Sequence, residues 1–311
     1  MDGVPYNFVD RVLDQLDTIT LGNFNAEFAS LTWSAVFALH QKNRKEYYIY
    51  LKWTIDGALC ILLDDATGAE VAPSKLEGND LRFIRFNSVY IFADYNFPDE
   101  PDFTFLIHEE RKLIDLLRQH DQSVFALYAT STGSLALLNW LYKKFYFAEI
   151  KLHYEGELSE KFITYHIKNN PDLRHVGLHG GWPASIMAPV RQSIFENLNI
   201  KFSFFSLEHL IDVSFIEELL DHWRVNEGFS GEWHFEMIFN KHQLEKLKHI
   251  GGMTREPLSS RYFYVQHEGR KSVVLCHMNF TSVQLKICNC SCGDSRKECE
   301  LKMKRPQLHD V

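Results

Sequence analysis

Ser123-Val124-Phe125-Ala126-Leu127-Tyr128, Glu149-Ile150-Lys151-Leu152, Arg174-His175-Val176-Gly177-Leu178, Lys201-Phe202-Ser203-Phe204 and Trp233-His234-Phe235-Glu236-Met237-Ile238 are five short runs of β-forming residues. Their centres, Leu127, Ile150, Val176, Phe202 and Phe235, lie 23, 26, 26 and 33 residues apart. Helical stripes fill the gaps: Leu135, Leu138 and Leu141; Leu158, Phe162 and Tyr165; Val190, Ile194 and Leu198; then Phe215, Ile216, Leu219, Leu220 and Trp223. Parallel strands need a crossover of about a dozen or more residues, and each interval supplies one. The class is therefore α/β, with a body of βα repeats over residues 101–285. A leucine-rich-repeat-like solenoid and a doubly wound sheet both fit that interval. Ser214 with Glu217 three residues on predicts a capping box opening the last helix.

Upstream the pattern changes. Tyr47 to Trp53 and Leu59 to Leu63 flank Asp56-Gly57, a hairpin signal. Residues 64–80 read as a loop, Phe83 to Phe92 as a strand, and Asp94 to Asp102, with Pro98 and Pro101, as a linker. Phe105, Leu106, Leu113, Ile114 and Leu117 predict an amphipathic helix. Residues 47–100 thus form a β-rich connecting region.

At the N-terminus Phe8, Val12 and Leu16 recur every four residues with Val9 and Leu13 beside them, a broad stripe on a helix about three turns long. Pro5 stands near its start, where the missing N–H costs nothing. A break around Gly22 precedes a second apolar stretch, Phe24 to Leu39. So small a helical module, residues 1–46, cannot bury much alone and must pack on the body or on a partner.

Val4-Pro5, Phe8, Val12, Leu13 and Leu16, then Leu21 after a polar turn and the late Trp33, resemble the F-box. With the α/β body that follows, the chain is similar to the F-box-like families expanded in nematodes, which carry an F-box-associated region. That resemblance implies a substrate-recognition subunit of a cullin-type ubiquitin ligase. Val4, Pro5, Phe8, Val9, Val12, Leu13, Leu16, Leu21 and Trp33 would dock a Skp1-like adaptor, and the body would receive a target protein. The residues alone leave a second reading open, in which the helices only cap the core of an interaction scaffold.

Composition narrows the classes. Hydrophobic residues at 45% and charged residues at 24% are the mix of a globular chain. No apolar run approaches the ~18–20 residues that cross a bilayer, and Met1-Asp2-Gly3-Val4-Pro5 lacks a secretory pattern. A cytoplasmic or nuclear setting and reduced cysteines are expected, with no membrane partner. The net charge of −8 argues against a nucleic-acid partner, so aromatic runs such as Tyr47–Trp53 and Phe202–Phe205 read as packing.

Catalytic and metal motifs are weak. Cys288, Cys290 and Cys292 have single-residue gaps, unlike the C-x₂₋₄-C pairs of zinc sites, so residues 286–311 read as a cysteine-rich, disordered tail without metal. His179-Gly180-Gly181-Trp182 resembles a hydrolase oxyanion loop, but no G-x-S-x-G follows, and a turn explains it. Gly251-Gly252 reads as a helix C-cap, and no phosphate cradle or H-E-x-x-H occurs. No nucleophile, base and orienter stand at motif spacing. The expectation is a non-catalytic binding protein without a cofactor.

Overall fold

The computed structural model describes residues 4–14, 16, 21, 31–71, 83–92, 104–108, 111, 115, 117, 125–196, 200–205, 212–226, 232–236, 245–247, 249–250, 254–255, 262–267, 272–278, 282–289 and 302. The chain is mixed α/β and divides into two compact units, Met1–Phe147 and Ala148–Val311. The 94–102 linker and the Gly251-Gly252 cap lie outside the described residues, as do Cys290, Cys292 and Cys299.

In the first unit, helices α1 (Tyr6–Asp14) and α2 (Leu31–Asn43) precede strands β1 (Lys45–Thr54) and β2 (Gly57–Asp64). These strands form the expected hairpin around Ile55-Asp56, with Thr54 opposite Gly57. Gly57 adopts φ +136°, and a Cβ there would stand 2.5 Å from the Ile107 carbonyl oxygen, so only glycine fits. The stretch read as a loop contains a short strand, β3 (Glu70–Val71), paired to β2. β4 (Ile84–Ile91) runs parallel to β1, and β6 (Phe125–Ala129) runs parallel to β4.

The helix expected from Phe105 onward begins instead with a strand, β5 (Thr104–Ile107), antiparallel to β2. A short apolar run carries no period of its own, and the unpaired side of β2 offered it a ladder. Arg111, Asp115 and Leu117, further on, are helical, and Leu117 is buried. Helix α3 (Leu135–Leu141) closes the unit, with Leu137, Leu138 and Leu141 buried as their spacing requires.

The second unit opens with the βα pattern. Strands β7 (Phe147–His153), β8 (His175–His179), β9 (Lys201–Phe205) and β10 (Glu232–Glu236) pair in chain order, and every pair among them is parallel. Helices α4 (Glu157–Asn169), α5 (Met187–Glu196) and α6 (Val213–Val225) are the crossovers. Right-handed crossovers between strands paired in chain order put every helix on one face.

The side chains agree with that placement. Ile150, Val176, Phe202, Trp233, Leu285, Cys276 and Phe263 form one cross-strand row, and none is more than 6% exposed. Each large side chain so buried contributes about 1.5–3 kcal/mol.

Two expectations change here. After β10 the parallel stack gives way to antiparallel strands β11 (Thr254–Arg255), β12 (Tyr262–Gln266), β13 (Ser272–Met278) and β14 (Ser282–Asn289), so βα units do not continue to residue 285. The connections 267–271 and 279–281 are too short for a parallel crossover. Residues 286–289, assigned to the tail, belong to β14, and Cys288 is buried opposite Val273.

The cap of α6 also moves. Asp212 is the N-cap, accepting from the Phe215 N–H at 3.0 Å, while Ser214 donates to the same carboxylate at 2.7 Å. An ionised acceptor outcompetes the serine hydroxyl expected to cap.

Candidate functional site

The residues expected to dock an adaptor divide by burial. Val9, Leu13 and Leu21 join Val36 and Phe37 of α2 in a small core of their own, and Val4, Leu16 and Trp33 pack against it. Pro5 is exposed, Phe8 keeps 55% of its surface, and Val12 is half-buried. The nine residues therefore do not form one outward stripe. Val9, Leu13 and Leu21 are spent on α2, whereas Pro5 and Phe8 face solvent with Tyr6.

Polar groups fix this helix pair. The Arg44 guanidinium donates to the carbonyls of Leu13 (2.7 Å) and Leu16 (2.6 Å), placing a cation at the C-terminus of α1. His40, 1% exposed, bonds Asp10 at 2.9 Å and meets the Phe83 ring edge-on at 5.2 Å.

The second unit carries a constellation that no motif announced. Opposite the buried row, the other face of its sheet presents Glu149, Lys151, His175 and Ser203. Glu149 lies directly across from His175, and Ser203 lies on the next strand opposite Gly177, diagonal to His175. His175 Nδ1 stands 2.9 Å from Glu149 Oε1, and its Nε2 stands 2.8 Å from Ser203 Oγ. Lys151 Nζ reaches the same Glu149 oxygen at 3.0 Å.

The protonation pattern follows from the carboxylate. Burial pushes the Glu149 carboxyl up, but hydrogen bonds from His175 and Lys151, with their charges, override it and hold its pKa at about 2. An ionised carboxylate has no proton to give, so His175 Nδ1 donates to it. In the neutral imidazole the Nε2 lone pair then faces Ser203, and the hydroxyl donates to it. A serine, a base and an orienting carboxylate are thus in line, in the order a nucleophile requires.

Period-2 alternation could have placed Glu149, His175 and Ser203 on one face. Their partnership depends on register, which the sequence does not state.

Other expectations resolve simply. His179-Gly180-Gly181-Trp182 is a turn ending β8, with Gly180 at φ +82° and the Trp182 N–H donating to the Gly180 carbonyl at 3.0 Å. Cys60, Cys276 and Cys288 are buried thiols, and burial pushes the Cys276 thiol up to about 12. Among the described residues no cluster of three or more His, Cys, Asp or Glu could hold a metal ion. No helix described is long and apolar enough to cross a membrane.

Compared with known proteins, the chain matches no family model, no curated protein and no solved structure.

Proposed function

We propose that the chain is a substrate-recognition subunit of a cullin-type ubiquitin ligase, with an F-box-like helical module over residues 1–46 and a βα-repeat body that receives the target. The observation that carries this reading is the division of α1. Its inner side is satisfied by α2, and its outer side leaves Pro5, Tyr6 and Phe8 exposed at the start of the helix. Apolar helix faces of this kind dock by burial in a partner's groove, with aromatic anchors supplying most of the energy. The βα body of the second unit would receive the target protein.

The runner-up is an interaction scaffold whose helices only cap the first unit. The His40–Phe83 contact, which ties α2 to a residue outside the module, favours it. One experiment separates the two. The full chain and its Phe8→Asp variant are mixed with a purified Skp1-type adaptor, and binding is measured by calorimetry. Losing an aromatic anchor costs roughly 30-fold or more in affinity. The Tm should stay unchanged, because Phe8 is 55% exposed. Absence of binding by the unmodified chain, or equal binding by both, sinks the ligase role. Leu13→Asp is not a fair probe, since Leu13 is fully buried and its loss would unfold the helix pair.

A further inference from the structure

The relay in the second unit needs a reason. Glu149 and His175 are half-exposed and within reach of water, so burial does not force them to bond each other and the 8%-exposed Ser203 hydroxyl. From their order and distances we propose that Ser203 is an acyl-accepting nucleophile, with His175 as its general base and Glu149 as the group that orients the base, acting on small carboxylic esters.

The step balances with these residues alone. Ser203 Oγ bonds the ester carbonyl carbon while its proton passes to His175 Nε2, at 2.8 Å. Collapse of the tetrahedral adduct breaks the carbon–alkoxide bond, and His175 returns the proton to the departing alcohol. Water then repeats the sequence on the acyl-serine, releasing the acid and restoring the hydroxyl. Glu149, at 2.9 Å from Nδ1, stabilises the imidazolium formed in each half.

Two features set the substrate class. Ser203 keeps 8% of its surface, so only a small acyl group reaches it. Its approach is over Gly177, which contributes no side chain and is covered by the flexible Lys151 stem, whose Cγ would stand 2.7 Å from a Cβ at that position. Both acyl-transfer steps lack one aid. Ser203 sits between parallel partners on both sides, so its backbone N–H belongs to the ladder and not to an oxyanion hole.

The test uses the full chain and a fluorophosphonate reporter. Ser203 Oγ displaces fluoride at phosphorus, and His175 takes the hydroxyl proton. One adduct per native chain is expected by intact mass, mapped to Ser203 by peptide sequencing and absent from heat-denatured chain and from Ser203→Ala. His175→Gln, checked by its melting curve, slows labelling by roughly 100-fold or more.

The groups facing His175 are Glu149 and Lys151 from β7, Lys201 and Ser203 from β9, and His179 on its own strand. Glu149→Gln, which keeps the shape of the side chain and removes the anion that stabilises the imidazolium, slows labelling without moving the adduct from Ser203. No adduct on the native chain, an adduct at another residue, or an unchanged rate in His175→Gln overturns the proposal. Mapping on the unmodified chain keeps the test valid even if a variant misfolds.

Discussion

The outward-facing rows of the two units obey the same alternation and are used differently. In the first unit Tyr50, Tyr90 and Tyr128 stand in one row across three parallel strands, their rings stacked at 4.8 Å between neighbours. Phe92 stacks on Tyr90 at 5.8 Å, and Tyr48 meets Tyr90 edge-on at 5.9 Å. In the second unit the corresponding row runs Lys151, Gly177, Ser203, His234, Gln284 and His277. Aligned rings cover one another's faces and exclude water, so a parallel row of tyrosines adds stability. Lys151, with Glu149 and His175 beside this row, stays half-exposed and bonds across strands, so this face adds less stability. One backbone pattern thus yields either a row of packed rings or a polar row, depending on the outward residues alone.

The largest expected effect lies on the inward-facing rows, where the two units are alike. Phe202→Ala removes a 1%-exposed ring from the middle of the buried row and should cost about 3–5 kcal/mol in urea unfolding, with exchange of the β8–β10 amides reporting the loss locally. A cost near zero would mean that this row is not the core of the second unit. The outward faces should then separate. Tyr90→Ala breaks several ring contacts and should cost about 2 kcal/mol, whereas Ser203→Ala loses one hydrogen bond, to His175, and should cost about 1 kcal/mol. Equal costs for the two would erase the distinction between a packed face and a chemical one.

Much of this fold was legible because it rests on local periods. The stripes of α3, α4, α5 and α6 and the runs of β7 to β10 could be read directly, since the burial of Leu138, Phe162 or Val176 follows from helical or strand spacing. The errors share one cause. Phe105 and Leu106 are apolar without a period, so only the free side of β2 made them a strand. Residues 286–289 read as tail from the cysteine pattern that starts at Cys288, while their pairing with β13 depends on register. The relay was invisible for the same reason. Glu149, His175 and Ser203 are 26 and 28 residues apart, a distance that means contact only once the strands are aligned. At the N-terminus, the stripe of α1 was legible, but which part of it α2 would cover was not.

The smallest effect probes the relay through acid. The Glu149 carboxyl is ordinarily near 4.5 and is held at about 2 in the fold, so it contributes stability that is present above the ordinary value and lost as pH falls from about 4.5 toward 2. Glu149→Gln should flatten unfolding free energy across that window, while Tyr90→Ala, whose row has no group titrating there, should leave the slope as it is. Gly177→Ala is the finer cut. A methyl at this position displaces the Lys151 stem and draws its ammonium away from Glu149, leaving His175 in place. Its acid slope should fall between those of the unmodified chain and Glu149→Gln, with a cost at neutral pH below about 1 kcal/mol. If Gly177→Ala keeps the full slope, Lys151 contributes nothing to the carboxylate, and His175 alone holds it ionised. The relay would then be a histidine–carboxylate pair with a bystander lysine, one charge simpler than the geometry draws it.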